Sequence, residues 1–228
     1  TATRARPLHP FVGTLEAMGA LPEYGHLKKV IKILAKPRAG ALMKSGKYES
    51  AGIFPGGAIY LYVNDRNLNT VQKLAGKKIA TLAFDQAAKT MVGKIGAAMI
   101  SSDVSTFAGK FNNKTVDACY APAFAYKALE LYKGINPKGG VIRYPLAQMT
   151  LQIIIRSGEF PPDFPGKSRA LVAQNVDAAL AMVKKAEAQI DPKHWIDIPE
   201  KDKEKYDEMF LDVRTELRDK QKVYNKKA

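Results

Sequence analysis

The sequence predicts an α/β protein whose strands form a parallel or mixed sheet with helices packed against its faces. The prediction rests on residues 74–131, where three short apolar runs alternate with three segments of helical spacing. Alternating strands and helices favour parallel pairing, because each helix carries the chain back across the sheet. Open sheets of this kind bind ligands outside the carboxyl ends of their strands. We therefore expect the functional residues at those ends.

The first half of this stretch contains one strand, one helix and a second strand. Ile79–Phe84 is an apolar run with a β-branched start, which indicates a strand. Asp85 stands at the N-cap position of the next helix, and Gly96 stands where that helix ends. A second apolar run over residues 97–101 then predicts the next strand.

The second half repeats the pattern. Asp103 is expected to cap a helix over residues 104–111, and residues 116–120 form the third predicted strand. Pro122 suits the first turn of a helix, because its missing N–H is not needed there. We predict that this helix covers residues 123–132.

The residues before this stretch predict one helix and two strands. Aliphatic side chains recur at helical spacing over residues 27–43, where Pro37 is expected to divide the helix. Residues 48–54 and 58–63 predict two separate strands, because Pro55-Gly56-Gly57 between them has the composition of a turn.

The two ends of the chain complete the prediction. Residues 1–6 are interpreted as the end of a strand, and residues 141–144 and 148–156 predict two more strands. Long helices are expected over residues 168–190 and 200–223. These helices suit either the bracing of two lobes or a dimer interface.

Residues 74–122 also combine three features seen together in a known class of protein. They are LAGKKI at 74–79, a capped helix that ends at Gly96 before an apolar strand, and Val-Asp at 116–117 leading to Pro122. The combination resembles the second lobe of periplasmic solute-binding proteins, especially the DctP-like proteins of tripartite (TRAP-type) transporters. Three longer runs resemble a narrower group, the AdeT-type solute-binding proteins of Gram-negative bacteria. These runs are VNDRNLNTVQKLAGKKIA (63–80), FAGKFNN (107–113) and PLAQMTLQIIIR (145–156).

The resemblance implies a type 2 periplasmic binding protein-like fold of two α/β lobes with long C-terminal helices. Residues 1–63 would be the remainder of a first lobe that is incomplete at its N-terminus, and residues 64–145 would be the second lobe. Residues 146–228 would hold the return crossing strand and C-terminal helices that pack on the first lobe.

The resemblance also implies a non-enzymatic, periplasmic protein that captures a small solute between its lobes for a membrane transport system. The expected partners are a small-molecule solute, with an anion as one option, and a membrane transporter component. No cofactor, metal or nucleic acid is expected. A homodimer through the incomplete sheet or the C-terminal helices is left open.

One residue departs from the TRAP-type pattern. Those proteins place an arginine that clamps the solute carboxylate directly after the GKKI segment, and here that position is Ala80. Alanine cannot replace a bidentate arginine–carboxylate contact. Either another arginine supplies the charge or the solute is not a simple carboxylate.

Polar and aromatic residues at the strand ends and crossings are the candidate ligand contacts. They are Arg4, Arg6, Tyr60, Phe84, Asp85, Gln86, Tyr120, Phe124, Arg143, Gln148 and Gln152. Several have a purely structural alternative: Asp85 as a helix cap, Tyr120 and Phe124 as core residues, and the three arginines as surface residues.

Catalytic signatures are missing from the sequence. His9, His26 and His194 lack the spacing of a zinc site, and there is no GxSxG or phosphate-binding glycine motif. Cys119 lies in a predicted buried strand, which favours a packing role over a reactive one.

The formal net charge of +14 leaves two rival functions open. One is an anion-binding or nucleic-acid-binding module, although the basic residues form no dense cluster. The other is an accessory role in drug (aminoglycoside) efflux, which members of the AdeT-type group are described as having. No apolar run reaches the ~20 residues of a membrane span, which argues against a pump.

Overall fold

The computed structural model describes residues 2–227. The strands are β1 (Lys44–Ser45), β2 (Tyr48–Val63), β3 (Lys78–Leu82), β4 (Ala98–Ser102), β5 (Ala118–Pro122), β6 (Gly140–Ile142), β7 (Ala147–Arg156) and β8 (Trp195–Ile196). The α-helices are α1 (Ala2–Ala5), α2 (Pro10–Gly13), α3 (Tyr24–Leu34), α4 (Val71–Leu74), α5 (Gln86–Lys94), α6 (Phe107–Asn112), α7 (Ala125–Ala128), α8 (Tyr132–Ile135), α9 (Phe164–Gln174), α10 (Val176–Glu187) and α11 (Glu200–Thr215). Short 3₁₀ turns cover Pro37–Met43 and Pro192–His194, and a π-turn covers Glu216–Lys220.

The strands form one mixed sheet in the order β4-β3-β5-β2-β6-β8. Strand β3 pairs in parallel with β4 and β5, and β6 pairs in parallel with β8. Strand β2 is antiparallel to β5, β6 and β7, and it also pairs with β1. The predicted α/β class with a parallel or mixed sheet is confirmed.

Two separate clusters of buried apolar side chains divide the molecule. The smaller one includes Leu27, Ile31 and Ile53, and we call the elements around it the first lobe. The larger one includes Tyr62 and Ile79, and its surroundings are the second lobe. Strand β2 runs through both, since Ile53 and Tyr62 lie in different clusters. The expected lobe boundaries in sequence remain a prediction.

Strand β2 corrects one expectation. We predicted two strands separated by a turn at Pro55-Gly56-Gly57, but β2 is a continuous strand of 16 residues. The register between β2 and β7 shifts between Ser50 and Gly52 and again between Pro55 and Gly57. Such bulges are where a sheet tolerates proline and glycine. Because β7 pairs with β2 on both sides of Pro55-Gly56-Gly57, these residues form a bulge in a continuous strand and not a turn.

The opening residues correct a second expectation. We interpreted residues 1–6 as the end of a strand, but Ala2–Ala5 is a short helix. Alanine and arginine favour helix, and no strand pairs with this segment among residues 2–227. The segment is held by Thr3, whose backbone N–H and hydroxyl both donate to Glu16.

Two long predicted helices, over residues 27–43 and 168–190, are divided. Pro37 ends the first as expected, since α3 stops at Leu34 and a 3₁₀ turn follows. Asn175 separates α9 from α10, and its side-chain amide donates to the carbonyl of Leu171, which closes α9. The spacing of apolar residues does not reveal the break at Asn175, because the buried residues on either side of it keep the same helical spacing.

The predicted helix over residues 123–132 is also broken. Pro122 ends strand β5 instead of opening a helix, and it pairs with Ile59 of β2. Two short helices, α7 and α8, follow, with Glu130 between them at a positive φ of 53°. This turn allows Leu131 to be fully buried.

The C-terminal helices pack on different parts of the molecule. Helices α9 and α10 contact β2 and α3, which places them on the first lobe. Helix α11 instead contacts α4 and α5, and its apolar stripe, including Tyr206 and Phe210, lies in the core of the second lobe. A stripe buried within the chain does not offer a dimer interface. Within residues 2–227, no helix combines the length and apolar character required to cross a membrane.

Candidate functional site

The carboxyl end of β3 lies beside that of β5. Asp85 caps α5, its Oδ1 accepting from the N–H of Ala88 at 3.0 Å, as predicted. Tyr120 at the end of β5 accepts from the N–H of Leu82 through its hydroxyl at 3.2 Å. Burial first and the neighbouring Asp85 carboxylate second raise the pKa of the Tyr120 phenol. Asp85 is therefore a helix cap that also faces the sheet edge.

Arg4 joins the two lobes at this edge. Its guanidinium carbon lies 4.0 Å from the centre of the Phe84 ring. Arg4 belongs to α1 of the first lobe, whereas Phe84 follows β3 of the second lobe. A cation over an aromatic face contributes about 0.5–1 kcal/mol at an exposed site.

Tyr224, near the end of the chain, gathers charges from both lobes. The Arg6 guanidinium lies 5.5 Å from the centre of its ring. Burial is the main reason why the pKa of the Tyr224 phenol is raised. The charge of Arg6 lowers that pKa, whereas the charges of Asp85 and Glu16 raise it further.

Glu16 is a buried carboxylate that connects α1 to β7. One oxygen accepts from the N–H and hydroxyl of Thr3 at 3.0 and 2.8 Å. The other accepts from the N–H and hydroxyl of Thr150 at 2.7 and 3.3 Å. Only 6% of Glu16 is exposed, and these bonds compensate the cost of burying its charge.

Strand β7 contributes one polar face. Gln148, Thr150 and Gln152 alternate along the strand and therefore point to the same side. The Gln152 amide donates to the Thr150 hydroxyl at 2.8 Å. The Oε1 atoms of Gln148 and Gln152 and the Nε of Arg6 are buried without a hydrogen-bond partner among the described residues. Buried polar atoms without partners are uncommon in folded proteins and mark places where a solute or water can bond.

These residues form what we call the junction site, since both lobes contribute to it. Its members are Arg4, Arg6, Glu16, Phe84, Asp85, Tyr120, Gln148, Thr150, Gln152 and Tyr224. Gln86 adjoins it and donates to Gln221 at 2.9 Å, which ties α5 to the π-turn. Contacts link Arg4 to Phe84 across the lobes and, through Glu16, join α1 to β7, whereas a common site for the predicted residues and their role as ligand contacts stay a prediction.

Two other predicted site residues lie around Trp195. The Tyr60 ring packs edge-on against Trp195 at 5.1 Å between centroids, and its hydroxyl donates to Glu187 at 2.7 Å. Arg143 stacks over Trp195 at 5.3 Å and pairs with Asp197 at 3.4 Å. Burial is the main reason why the pKa of the Tyr60 phenol is raised.

Phe124 lies in a third place. It lines an apolar cavity of about 600 Å³ between α10 and the bulged part of β2, together with Phe54 and Met182. Half of its side chain is exposed.

Sequence reasoning missed three members of the junction site. Glu16 interrupts the apolar segment Phe11–Leu21, and an isolated acid there is a usable signal for a buried carboxylate. Thr150 lies between two residues that we did select and shares their face. Tyr224 offers no comparable signal, because its position depends on how the chain end packs.

Within residues 2–227, no group of three or more His, Cys, Asp or Glu residues is placed to hold a metal ion. Burial raises the pKa of the Cys119 thiol well above its ordinary value, so it stays protonated near neutral pH. What the junction site offers is two guanidinium groups, two carboxylates and amide oxygens.

Comparison with known protein families gives a match over the whole chain. The model for the family described as solute-binding protein AdeT 1/2 matches residues 1–228. The probable solute-binding protein AdeT1 of Acinetobacter baumannii is 39% identical over 214 residues, which is 94% of this chain and 70% of that protein. AdeT2 of the same organism is 25% identical over 205 residues, covering 90% and 86% of the two chains.

Solved structures with the same fold are TRAP periplasmic solute-binding proteins. One from Desulfovibrio salexigens, with bound orotic acid, has a TM-score of 0.71 at 15% identity and covers 97% of this chain and 74% of its own. One from Xanthobacter autotrophicus, with bound β-D-galacturonate, has a TM-score of 0.74 at 14% identity, covering 97% and 75%. At this identity the likeness shows the fold, the two-lobed type 2 periplasmic binding protein-like fold that we predicted.

Proposed function

Because the chain belongs to the AdeT1/2 solute-binding protein family, we propose that it captures a small polar solute at the junction site. Two observations support this proposal: the Arg4 guanidinium of the first lobe lies over the Phe84 ring of the second lobe, and buried polar atoms of Arg6, Gln148 and Gln152 lack a hydrogen-bond partner among residues 2–227. A solute that contacts both lobes stabilises the arrangement in which they are close.

The side chains favour a solute that has both an anionic group and hydrogen-bond donors. Glu16 already accepts four hydrogen bonds from Thr3 and Thr150, so its oxygens are engaged within the protein and not available to hold a solute. Arg4 and Arg6 then supply the positive charge that Ala80 cannot. The amide oxygens of Gln148 and Gln152 accept hydrogen bonds from hydroxyl or amide groups of the solute.

The proposed setting is the periplasm, and the proposed partner is a component of a membrane transporter. The TRAP proteins that share the fold are periplasmic by name and were solved with organic acids such as orotic acid and galacturonate. Closure of the lobes on the solute would create the surface that the transporter recognises. In this role the protein binds and releases its solute unchanged.

Thermal unfolding with a panel of solutes tests the proposal. We expect hydroxylated organic acids to raise the melting temperature, because a ligand at 100 times its Kd stabilises the folded state by about 2.7 kcal/mol. Amino acids, polyamines and aminoglycosides serve as the comparison classes. The shift should survive high salt, since a buried contact is screened less than a surface one.

Two variants locate the binding. Gln148→Leu should weaken the binding of an identified acid at least about tenfold. Leucine is similar in size to glutamine but lacks the buried amide oxygen that would accept a hydrogen bond from the solute. Gln174→Leu, a change of the same kind in the exposed part of α9, is the control and should leave the Kd unchanged. An acid that binds both variants equally, or a panel without any stabilising solute, would contradict the assignment of the junction site.

A further inference from the structure

A second cavity lies away from the residues that we selected from the sequence. It has a volume of about 390 Å³ and lies between α2 and α3 of the first lobe and α11 of the second lobe. This volume falls within the usual range of small-molecule sites, about 300–1,000 Å³. Its walls are mainly aliphatic and aromatic, formed by Phe11, Leu15, Leu21, Val30, Leu34 and Leu211.

The edge of this cavity is cationic. Arg214, Arg218 and Lys227 line it, and its lining residues include no carboxylate. Arg214 donates to the carbonyl of Met18, a neutral partner. Arg218 is paired through two hydrogen bonds, of 2.8 and 2.7 Å, with Asp219, which offsets part of its charge.

Lys227 keeps a positive charge at the edge. Its side chain is exposed, and no carboxylate of residues 2–227 lies within ion-pair distance of its ammonium group. The charge at the edge is therefore positive even after the Arg218–Asp219 pair is taken into account. An apolar interior with a positive edge complements a molecule with a hydrocarbon body and an anionic head.

We infer that this cavity is a binding site for a small amphipathic carboxylate, such as a medium-chain fatty acid. The hydrocarbon chain lies among the apolar walls, and the carboxylate lies between the cationic side chains at the edge. This site is separate from the junction site, because Tyr224 is the single residue that the two linings share among the described residues.

The occupied cavity also has a structural effect. One wall is formed by residues of the N-terminal segment and α3, and the other by α11 and the C-terminal segment. Two contacts already join these segments: Arg214 of α11 with the carbonyl of Met18, and the N–H of Asn225 with Thr14 at 2.9 Å. A ligand between them adds contacts to both walls. We therefore expect occupancy to raise the melting temperature of the whole chain.

Binding of three ten-carbon probes to the full chain tests the inference. Decanoate, decanol and decylamine share a hydrocarbon body and differ in the charge of the head group. By isothermal titration below their aggregation limits, we expect decanoate to bind most tightly, decanol more weakly and decylamine most weakly. Decylamine binding as tightly as decanoate would overturn the assignment of an anionic head group.

Matched double variants test the role of the edge. Arg218→Gln with Lys227→Gln should weaken decanoate binding at least about tenfold, because hydrogen bonds to charged groups are the stronger kind. Lys220→Gln with Lys226→Gln removes the same charge at exposed residues outside the lining, and should change the Kd less than about twofold. If both double variants weaken decanoate binding equally, the loss would come from the change in net charge alone, and the proposed site would be refuted.

A third variant tests the wall. Leu211 is 55% exposed and lines the cavity, so Leu211→Glu places a carboxylate there without disturbing the core. It should abolish decanoate binding and leave solute binding at the junction site intact. Decanoate binding that persists in this variant but is lost in Gln148→Leu would place the fatty acid in the junction site and overturn the inference.

Discussion

Replacing Glu16 by glutamine tests whether its carboxylate holds helix α1 against strand β7. Among the described residues, the Glu16 carboxylate accepts hydrogen bonds from the N–H and hydroxyl of Thr3 and from the N–H and hydroxyl of Thr150. A glutamine keeps one of the two acceptor oxygens. Its NH₂ group replaces the other oxygen and faces the donors of either Thr3 or Thr150. At least one buried donor, such as the Thr150 N–H, then loses its partner.

The expected cost follows from those bonds. A buried donor without a partner costs about 1–3 kcal/mol, and the loss of hydrogen bonds to a charged acceptor adds to it. We therefore expect Glu16→Gln to lower the free energy of unfolding by about 3 kcal/mol. With a urea m-value of about 2 kcal/mol/M, the midpoint of unfolding should fall by about 1.5 M.

Urea unfolding followed by circular dichroism measures this change. Glu23→Gln is the matched control, since Glu23 is exposed and its side chain makes no capping hydrogen bond to α3. The control should change stability by less than about 0.5 kcal/mol. A Glu16→Gln variant that matches the control would refute the claim that this carboxylate holds α1 against β7.

Three further predictions concern individual contacts. Asp85→Ala should cost about 1 kcal/mol of stability in urea, because it removes the cap of α5, while Asp85→Asn should retain most of it. Phe84→Leu should cost about 0.5–1 kcal/mol by removing the ring under Arg4, and the difference should vanish when Arg4 is also replaced by alanine. The hydroxyl of Ser105 is the main reason why the pKa of Asp103 is lowered to about 2, and the backbone N–H of Thr106 adds to it. Asp103 lies in the turn before α6 and not at its N-cap, which is Thr106. The stability from the Asp103 hydrogen bonds should be complete above pH ~4 and be lost as the pH falls through about 2. An NMR titration should show that the midpoint of Asp103 rises in Ser105→Ala.

Local features of the sequence predicted the second lobe well. The Asp85 cap, the end of α5 at Gly96 and the strands over residues 78–82 and 98–102 all depend on short-range chemistry. The same reasoning failed for Pro55-Gly56-Gly57, where pairing with β7 overrides the tendency to turn. It also failed for residues 123–132, where the burial of Leu131 decides the path of the chain.

The junction site shows the same limit. Strand ends were predictable, so Phe84, Asp85 and Tyr120 were found. Glu16 bonds to a residue 134 positions away, and Tyr224 packs beside Arg6 from the opposite end of the chain. Partners at such separations follow from the three-dimensional packing and not from spacing in the sequence.

The continuous strand β2 has a mechanical consequence. Since it passes through both cores, any rotation of one lobe against the other has to bend this strand, whose pairing with β7 is irregular at Pro55–Gly57. A side chain at Gly56 would press on Met149, with a Cβ only 2.5 Å from its terminal methyl carbon. Under the proposed mechanism of lobe closure, the resistance of these three residues to bending would set the fraction of molecules in the closed form, and so would scale the apparent affinity for every solute alike. Affinity can be tuned there without altering a residue of the junction site.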